Sequence, residues 1–337
     1  MGQAVDADED RAMMGEAIAS AASVRCRTSP NPWVGCVIVP DGDQPAAIGA
    51  TQPPGGPHAE AVALDLAGPT AAGAVAYVTL EPCAHQGKTP PCADALIAAG
   101  VRRVVIGIVD PDPQVRGAGI ERLEAAGIEV TTGVCADEIS DQLAPYLKQR
   151  TTGRPWVVLK LAASLDGRTA APDGTSRWIT GPLARADAHR MRAESDAILV
   201  GAGTVRADDP ALTVRYADGR DPLRVVLGPI PDGARVQPAV GMSGDLGQVL
   251  DDLGGRGVMQ LLVEGGATVA HDFHRAGLVD RYVLYLAPVF FGGDDGRPVF
   301  AGPGAASMDD IWRGRMVSIE QLGADLRIEL AGCGIAA

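Results

Sequence analysis

Apolar and polar positions in the first half of the chain alternate between the spacing of helices and that of short, buried strands. The predicted helices span residues 8–24, 58–67, 92–99 and 119–126. The predicted strands span residues 34–39, 74–80, 101–109 and 128–131. Gly100, just after the third helical pattern, is expected to end that helix. Strands that alternate with helices are typical of an α/β domain with a largely parallel sheet.

This alternation is interrupted near the middle of the chain and then begins again. Residues 136–149 predict a helical connector and residues 151–155 a turn, so we place a division here, with domains at 1–148 and 149–337. In the second domain the predicted strands span residues 156–162, 197–201, 223–227, 259–263, 281–288 and 326–330. The predicted helices span residues 182–192 and 268–276. Residues 228–256 have too weak a pattern to predict an element.

Length and composition agree with two globular domains. The chain has 337 residues, 46% of them apolar, and single cores split into domains beyond roughly 250–300 residues. A formal net charge of −13 argues against broad binding to nucleic acid or anionic membranes, because like charges repel. No apolar run approaches the ~20 residues that span a bilayer, and the acidic N-terminal segment lacks the apolar region of a secretory signal. We therefore predict a cytoplasmic protein with no membrane or nucleic-acid partner.

The strongest chemical signal is one histidine together with two of the six cysteines. His58 is followed by Glu60, and Cys83 by Cys92, in a chain whose expected location disfavours disulfides. One imidazole and two thiolates can hold Zn²⁺ and leave its fourth position for a water, whose pKa the metal lowers. Glu60 is not needed as a ligand and is a candidate to carry protons between that water and a departing amine. The alternatives are a closed structural zinc site or two reduced, buried cysteines.

Predicted secondary structure places these residues suitably for a metal site. His58 and Glu60 fall in the first turn of a predicted helix, Cys83 follows a predicted strand, and Cys92 begins the next helix. The positive end of a helix dipole favours a thiolate. Position alone nevertheless leaves the structural alternatives open.

The spacing of the two cysteines limits which zinc-deaminase families the chain can resemble. Eight residues separate Cys83 from Cys92, and the stretch ends in Gly87-Lys88-Thr89-Pro90-Pro91-Cys92. It resembles the deaminase domain of riboflavin biosynthesis, as do Asn31-Pro32-Trp33-Val34-Gly35 and Asp110-Pro111-Asp112-Pro113. The resemblance implies a cytidine-deaminase-like three-layer fold, and the joint occurrence of these motifs favours a catalytic metal site.

The same resemblance implies which residues contact the substrate of this domain. They are Asn31, His85, Lys88 and Asp110. The family usually has Asn where Asp112 stands. A carboxylate at that position would repel a phosphorylated substrate.

Two glycine-rich turns in the second half indicate a site for a phosphate-bearing cofactor. Gly201-Ala202-Gly203-Thr204 and Gly265-Gly266 each follow an apolar strand, and the second turn precedes a predicted helix. Glycines let backbone N–H groups approach a phosphate, and a helix N-terminus favours its charge. Either turn alone is weak evidence, but together they predict a dinucleotide across the strand ends. Neither has the Gly-x-Gly-x-x-Gly form of a Rossmann domain.

Three ordered motifs in the second half resemble the reductase domain that follows this deaminase in the bifunctional riboflavin enzyme. They span residues 159–168 with 176–180, 200–210 with 212–215, and 263–268. The resemblance covers nearly the whole chain and implies a dihydrofolate-reductase-like fold. It implies NADPH contacts from Ala162, Trp178, Thr204, Asp208, Gly266, Ala267 and Thr268. It implies substrate contacts from Ser176, Arg192, Leu212, Arg215 and Glu264.

The chemistry of individual side chains supports parts of this assignment. Arg192 and Arg215 can clamp a phosphate because a guanidinium binds it with two hydrogen bonds, although a surface ion pair is the ordinary alternative. Lys160 and Glu264 fall at apolar strands and are candidates for proton transfer in catalysis. Trp178 also fits a position in the core.

We therefore predict a zinc-dependent hydrolytic deaminase joined to an NADPH-dependent oxidoreductase. The resemblance implies deamination of 2,5-diamino-6-ribosylamino-4(3H)-pyrimidinone 5′-phosphate and then reduction of the ribosyl group to ribityl. It also implies a homo-oligomer formed through the second domain. One alternative keeps the deaminase but leaves the second domain a metabolite-binding module with impaired catalysis, because segment 228–256 is short. Another is a nucleoside or tRNA deaminase with an unrelated second domain.

Overall fold

The computed structural model describes residues 7–42, 44–85, 90–113 and 115–332. Within it the chain forms two compact units, Met1–Thr152 and Gly153–Ala337. A helix spans Ala144–Thr152, so the division expected after residue 148 falls inside it, and that boundary stays a prediction. Lys88, one of the expected substrate contacts, lies outside the described residues.

The first unit alternates helices with the strands of one sheet, as the apolar spacing predicted. In chain order its elements are α1 (Ala7–Ala22), β1 (Gly35–Val39), β2 (Ala47–Ala50), α2 (Ala59–Ala67), a 3-10 turn (Gly68–Ala71), β3 (Val75–Leu80), α3 (Cys92–Ala99), β4 (Arg103–Ile108), α4 (Ala118–Ala125), β5 (Glu129–Thr132), α5 (Ala136–Gln142) and α6 (Ala144–Thr152). The sheet order is β2-β1-β3-β4-β5. Strands β3, β4 and β5 are parallel, but β1 is antiparallel to both of its neighbours. The expected largely parallel sheet is therefore parallel on one side only.

Close backbone packing holds α1 and α2 against opposite faces of this sheet, because Gly49 pairs with Cys36, the strand neighbour of Gly35, and successive residues of a strand point to opposite faces. A Cβ atom at Gly35 would lie 1.9 Å from the carbonyl oxygen of Ala17 in α1. A Cβ atom at Gly49 would lie 2.3 Å from the carbonyl oxygen of Ala59 in α2. Only glycine permits so close an approach, so the start of α2 is held directly against β2.

A buried ion pair joins α1 to the centre of the same sheet. Arg103 donates from Nη1 and Nη2 to the two carboxylate oxygens of Asp10, at 2.9 and 2.8 Å. The Tyr77 hydroxyl donates to Asp10 at 3.1 Å, and Arg103 also donates to the Thr131 hydroxyl at 2.9 Å. Asp10 is 6% exposed and Arg103 5%. The pair therefore links α1, β3, β4 and β5 through side chains removed from water.

The second unit contains a larger sheet with helices on both faces. In chain order its elements are β6 (Trp156–Ser164), β7 (Arg168–Ala170), α7 (Pro182–Ala193), β8 (Ala197–Gly201), α8 (Ala202–Asp208), β9 (Leu223–Leu227), β10 (Val240–Met242), α9 (Leu246–Gly255), β11 (Gln260–Val263), α10 (Ala267–Arg275), β12 (Arg281–Ala287), β13 (Arg297–Pro298), β14 (Gly314–Leu322) and β15 (Asp325–Gly332). The main sheet has the order β10-β9-β8-β11-β6-β12-β15-β14. Its strands are parallel from β10 to β12, and β15 is antiparallel to both neighbours. No helix in the described ranges has the length and apolar character needed to cross a membrane.

The segment left unassigned in the sequence, residues 228–256, contains strand β10 and helix α9. Asp245 caps α9, because its side chain accepts hydrogen bonds from the backbone N–H groups of Gly247 and Gln248. Val249 and Leu253 bury the inner face of the helix. The omission of α9 was wrong, and the acidic cap before an apolar repeat was the missed signal. Strand β10 has only three residues, which is too short for a clear pattern.

Three other local expectations also need correction. Ala202, Gly203 and Thr204 form the first turn of α8 and are not a free turn. Residues 151 and 152, expected in a turn, complete α6. Strand β14 was not predicted, because it lies at a sheet edge with none of its residues buried and so lacks an apolar alternation.

The buried pair between α1 and β4 leads to a test of stability. The substitution Asp10→Ala leaves the Arg103 charge buried without its partner, and such losses cost about 3–5 kcal/mol. We expect this loss in the free energy of unfolding of the first unit, measured by urea-dependent hydrogen exchange of β3 and β4 peptides. Asp8→Ala, at an exposed position of the same helical turn, should cost less than about 1 kcal/mol. Equal effects of the two substitutions would contradict this role for the pair.

Candidate active sites

The structure brings the three predicted metal ligands together. His58 Nδ1 lies 3.7 Å from Cys83 Sγ and 3.3 Å from Cys92 Sγ. All three ligand atoms lie within 4.8 Å of one another. Tetrahedral zinc with these ligand types places nitrogen and sulfur about 3.5–3.6 Å apart. The cluster therefore fits a zinc ion held by three protein ligands, with room for a fourth.

The ends of three elements position this cluster. His58 is the residue before α2, Cys83 follows β3, and Cys92 is the first residue of α3. The backbone N–H of Cys92 donates to Cys83 Sγ at 3.4 Å. A hydrogen bond with the Cys92 thiol lowers the pKa of Cys83 below its ordinary value. A thiolate, the form that binds metal, is thus favoured at Cys83.

Glu60 lies next to the cluster, in the first turn of α2. Its side chain is almost removed from solvent, at 4% exposure, and burial raises its pKa to about 7. The carboxylate does not belong to the set of metal ligands. Its position leaves it able to exchange protons with a ligand bound beside the metal.

These residues face a cavity of about 400 Å³ in the first unit. The lining residues are Asn31, Pro32, Val34, Thr51, His58, Glu60, Leu80, Glu81, Cys83, His85, Asp110, Asp112, Val115, Tyr146 and Arg150. Three expected substrate contacts, Asn31, His85 and Asp110, are therefore among the lining residues. A cavity of this size suits a small molecule.

Glu81 organises one wall of the cavity, a role the sequence interpretation missed. Its carboxylate accepts hydrogen bonds from four backbone N–H groups, those of Asp110, Gly117, Gly119 and Ile120, at 2.9–3.4 Å. A Cβ atom at Gly119 would lie 2.0 Å from the carbonyl oxygen of Pro82, which explains the glycine there. The available signal was an acidic residue in the motif between an apolar strand and Cys83.

Tyr146 positions Asp110 in the same wall and was also missed. Its hydroxyl lies 3.0 Å from both carboxylate oxygens of Asp110, and the Asp112 backbone N–H donates to Asp110 at 2.9 Å. Asp110 is 5% exposed, and burial raises its pKa. Tyr146 comes from α6, far along the chain, so no local motif pointed to it.

In the second unit, three predicted residues form one charged cluster. Arg192 donates from Nε to one oxygen of Glu264 at 2.7 Å and from Nη2 to the other at 3.0 Å. Lys160 Nζ lies 3.6 Å from Glu264. Burial alone would raise the pKa of Glu264, but the charges of Arg192 and Lys160 outweigh it and lower the pKa to about 2. Glu264 is therefore held as an anion at neutral pH.

His189 connects this cluster to Arg215 and was not predicted. Arg215 Nη2 donates to His189 Nε2 at 3.2 Å, and the ring of Tyr216 packs edge-on against the imidazole at 4.8 Å. Burial, together with the charges of Arg192 and Arg215, lowers the pKa of His189 to about 4. His189 is thus neutral near pH 7 and can accept a hydrogen bond from an arginine.

The two glycine-rich turns meet at the ends of neighbouring strands. Strands β8 and β11 are parallel neighbours; α8 begins directly after β8, and α10 begins three residues beyond the end of β11. A Cβ atom at Gly266 would lie 3.3 Å from the Thr204 hydroxyl oxygen, so the two turns are in contact. Ala267 and Thr268 form the first turn of α10. These four expected NADPH contacts are therefore brought together, and the two helix N-termini suit phosphate groups.

The other expected cofactor contacts lie in different surroundings. Trp178 is 69% exposed, so its interpretation as a core residue was wrong, and the Arg185 guanidinium lies 4.5 Å from its ring centre. Asp208 ends α8 with its side chain exposed, and its carbonyl oxygen accepts a hydrogen bond from Arg177 at 3.1 Å. Ala162 is two residues after Lys160 in β6, so the two share a face of the strand.

The remaining expected substrate contacts differ in how far their side chains are accessible to a ligand. The Leu212 side chain is 3% exposed and packs in the core, with a backbone φ of +53°. Leu212 would therefore meet a ligand through its backbone. Ser176 is half-buried in the segment between β7 and α7. Arg215 comes three residues after Leu212 in the sequence, and its side chain is exposed.

Comparison with known families assigns both units. Residues 7–108 match the family described as the cytidine and deoxycytidylate deaminase zinc-binding region. Residues 155–328 match the RibD C-terminal domain. The chain is 45% identical over 331 residues to riboflavin biosynthesis protein RibD of Mycobacterium tuberculosis, covering 94% of this chain and 96% of that one. It is 40% identical over 367 residues to RibD of Escherichia coli, covering 96% and 100%.

Solved structures give the same result for the fold. Acinetobacter baumannii RibD matches with a TM-score of 0.91 and 39% identity, over 97% of this chain and 99% of that one. A diaminohydroxyphosphoribosylaminopyrimidine deaminase/5-amino-6-(5-phosphoribosylamino)uracil reductase from Thermotoga maritima matches with a TM-score of 0.89 and 35% identity, over 97% and 99%. The α/β fold with a cytidine-deaminase-like first unit and a dihydrofolate-reductase-like second unit, expected from the sequence, is confirmed.

The metal cluster predicts a loss of zinc on removal of one ligand. Cys92→Ala leaves His58 and Cys83 as the remaining members of the cluster, too few for a stable site. We expect bound zinc, measured by plasma mass spectrometry, to fall from about one to below about 0.1 per chain. Cys135→Ala, a cysteine outside the cluster, should retain the metal. Full zinc content in Cys92→Ala would refute the ligand assignment.

The charged cluster predicts a particular pH dependence of stability. The folded pKa of Glu264 is about 2, below its ordinary value of about 4.3, so its ionised form stabilises the fold by about 3 kcal/mol at pH 7. That contribution is present above about pH 4.3 and is lost as the pH falls towards 2. Glu264→Gln should therefore lower the free energy of unfolding at pH 7 and reduce its decline below pH 5.

Urea unfolding followed at several pH values between about 3 and 7 measures this effect. Glu320→Gln, at an exposed position of β14, is the control and should keep the wild-type profile. Parallel pH profiles for the wild type and Glu264→Gln would contradict the depressed pKa.

Proposed function

The chain belongs to the RibD family of riboflavin biosynthesis proteins, and from this premise we propose which residues carry its two reactions. It is a bifunctional enzyme, a zinc-dependent hydrolytic deaminase followed by an NADPH-dependent reductase. Nothing favours the alternative of a reductase domain with impaired catalysis. The rival of a nucleoside or tRNA deaminase with an unrelated second domain does not fit the match at residues 155–328.

In the first unit, we propose that His58, Cys83 and Cys92 hold the zinc ion. When bound, zinc supplies an activated water for attack on the carbon that carries the amino group. Glu60 takes a proton from the attacking water and returns protons to the ring nitrogen and to the leaving amine. The C–N bond breaks, ammonia leaves, and the pyrimidine keeps the oxygen. The burial of Glu60 beside the metal ligands supports this role.

The substrate proposed for this unit is 2,5-diamino-6-ribosylamino-4(3H)-pyrimidinone 5′-phosphate. Asn31, His85 and Asp110 line the cavity and offer hydrogen-bonding groups to its ring. Glu81 and Tyr146 act as positioning residues, because they hold the backbone and the carboxylate of Asp110 in place. Lys88 is proposed as a further substrate contact on the family motif alone.

In the second unit, we propose that the two glycine-rich turns hold the NADPH phosphates. These turns contribute Thr204, Gly266, Ala267 and Thr268, and Ala162, Trp178 and Asp208 are proposed as further contacts to NADPH. When bound, NADPH supplies the hydride that goes to C1′ of the ribosyl group. The C1′–O4′ bond of the sugar opens in this reaction, and O4′ must receive a proton.

Lys160 is the proposed proton donor to O4′. Glu264 is held as an anion, which makes it a poor proton donor, and we propose that it positions Lys160 and Arg192. Arg192 and Arg215 are the proposed contacts to the substrate phosphate, with Ser176 and the Leu212 backbone as further contacts. Proton transfer is thus assigned mainly to Lys160, and Glu264 acts through it.

The domain bounds, the cellular location and the oligomeric state are also proposed. We propose domains at 1–148 and 149–337, a cytoplasmic location and a homo-oligomer formed through the second unit. Met316 and Ile319 on the edge strand β14 are 50% and 60% exposed, which supports a partner at that edge.

The observation that carries the deaminase assignment is the convergence in one cavity of His58, Cys83, Cys92 and the buried Glu60. Two substitutions, one in each unit, test the deaminase and the reductase separately. Glu60→Gln should lower ammonia release about 10²–10⁴-fold, because proton transfer is lost. It should leave NADPH oxidation with the deaminated intermediate unchanged. Lys160→Met should lower NADPH oxidation by a similar factor of about 10²–10⁴ and leave ammonia release unchanged.

Zinc content and NADPH affinity of both variants serve as controls and should equal those of the wild type. Loss of both activities in either variant would count against separate sites. Wild-type protein that releases no ammonia from the diamino substrate would overturn the deaminase assignment.

A further inference from the structure

The cavity of the first unit is strongly acidic. Four carboxylates line it, those of Glu60, Glu81, Asp110 and Asp112. Among the described lining residues, Arg150 carries the only permanent positive charge. Among these described residues, Arg150 therefore attracts a phosphate most strongly.

Two of the four carboxylates already have dedicated partners. Backbone N–H groups surround Glu81, and the Tyr146 hydroxyl lies against Asp110. Asp112 instead faces Arg150, with Arg150 Nε 3.6 Å from its carboxylate. This separation is an ion pair but too long for a hydrogen bond. A stronger acceptor could therefore take the place of the carboxylate at Nε.

Glu60 and Arg150 differ in how far they are exposed to solvent. Glu60 and Asp110 are 4% and 5% exposed, whereas the side chains of Asp112 and Arg150 are 24% and 35% exposed. Deamination requires the pyrimidine ring at the buried end, beside Glu60. The phosphate at the other end of the substrate would then need a more exposed part of the lining, and Arg150 offers a partly exposed cation there.

Arg150 is held in place by its own helix. It follows Tyr146 by one turn of α6, and its guanidinium lies 5.2 Å from the centre of the Tyr146 ring. A guanidinium packed on an aromatic face keeps its N–H groups directed to the edges, where they can bind two phosphate oxygens. The same helix thus positions Asp110 through Tyr146 and presents the cation.

We propose that Arg150 binds the 5′-phosphate of the substrate in the deaminase cavity, and that the phosphate displaces Asp112 from it. This inference rests on the proposed deaminase function of the first unit. It makes Asp112, where the family usually has Asn, the resting partner of the phosphate-binding cation. Arg150 then determines the preference for a phosphorylated over an unphosphorylated pyrimidine.

The test compares deamination of the phosphorylated substrate with that of its dephosphorylated counterpart, by ammonia release from the zinc-loaded full chain. Arg150→Gln should raise KM for the phosphorylated substrate about 10–100-fold, the effect of losing hydrogen bonds to a charged group. It should leave kcat for both substrates and KM for the dephosphorylated one nearly unchanged. Arg150→Lys should fall between the wild type and Arg150→Gln.

A matched control is available in the same unit. Arg102 also forms an Arg–Asp pair at 3.6 Å, with Asp41, but it does not line the cavity. Arg102→Gln should therefore leave both KM values unchanged. Asp112→Asn removes the competing carboxylate and should lower KM for the phosphorylated substrate alone. Inorganic phosphate should inhibit the wild type competitively and inhibit Arg150→Gln more weakly.

The outcomes distinguish failure of the deaminase function from failure of the Arg150 assignment. If the wild type deaminates neither substrate, the proposed function fails. If the wild type is active but Arg150→Gln keeps its full preference for the phosphorylated substrate, the Arg150 assignment is overturned. Loss of that preference in Lys88→Gln, with Arg150→Gln unchanged, would place the phosphate at Lys88 instead. Zinc content and NADPH oxidation equal to those of the wild type confirm that each variant is folded.

Discussion

The convergence of three metal ligands within a few ångströms is the constraint on which the first unit depends. His58 precedes α2, Cys83 follows β3 and Cys92 begins α3, so the cluster exists only if two helix N-termini and a strand end meet. Close packing at Gly49 places α2 directly on the sheet, and the hydrogen bonds of Glu81 fix the loop beyond β3. The metal site is thus a consequence of backbone packing, and zinc in turn would bind these elements together.

The second unit depends on a different constraint, because it holds several charged side chains in a partly buried site. Glu264 satisfies Arg192 and Lys160, and the neutral His189 accepts a hydrogen bond from Arg215. The buried anion holds in place the two cations for which we propose roles in substrate binding and proton transfer. Without the anion, the cations would repel each other and would lose their fixed positions.

The sequence was most informative where chemistry depends on residue type and local spacing. The metal ligands, Glu60 and the two glycine-rich turns could be named because few other functions need that combination at strand and helix ends. Glu81, Tyr146 and His189 could not be named, because each acts through a partner far along the chain and is an ordinary residue in its own segment. For the same reason the edge strand β14, which has no buried face, left no apolar pattern to recognise.

Asp112 illustrates why a single motif position is a poor guide to electrostatics. Taken alone, a carboxylate in place of the usual Asn predicts repulsion of a phosphate. In the fold it stands against Arg150, 38 positions later in the sequence, and the pair has no net charge. A dianionic phosphate approaching that pair gains the guanidinium and frees the carboxylate to turn towards water, which is possible because both side chains are partly exposed. The effect of Asp112 therefore depends on whether Arg150 stays paired with it or pairs with the phosphate instead. The fold decides this, because it is the fold that places Arg150 beside Asp112.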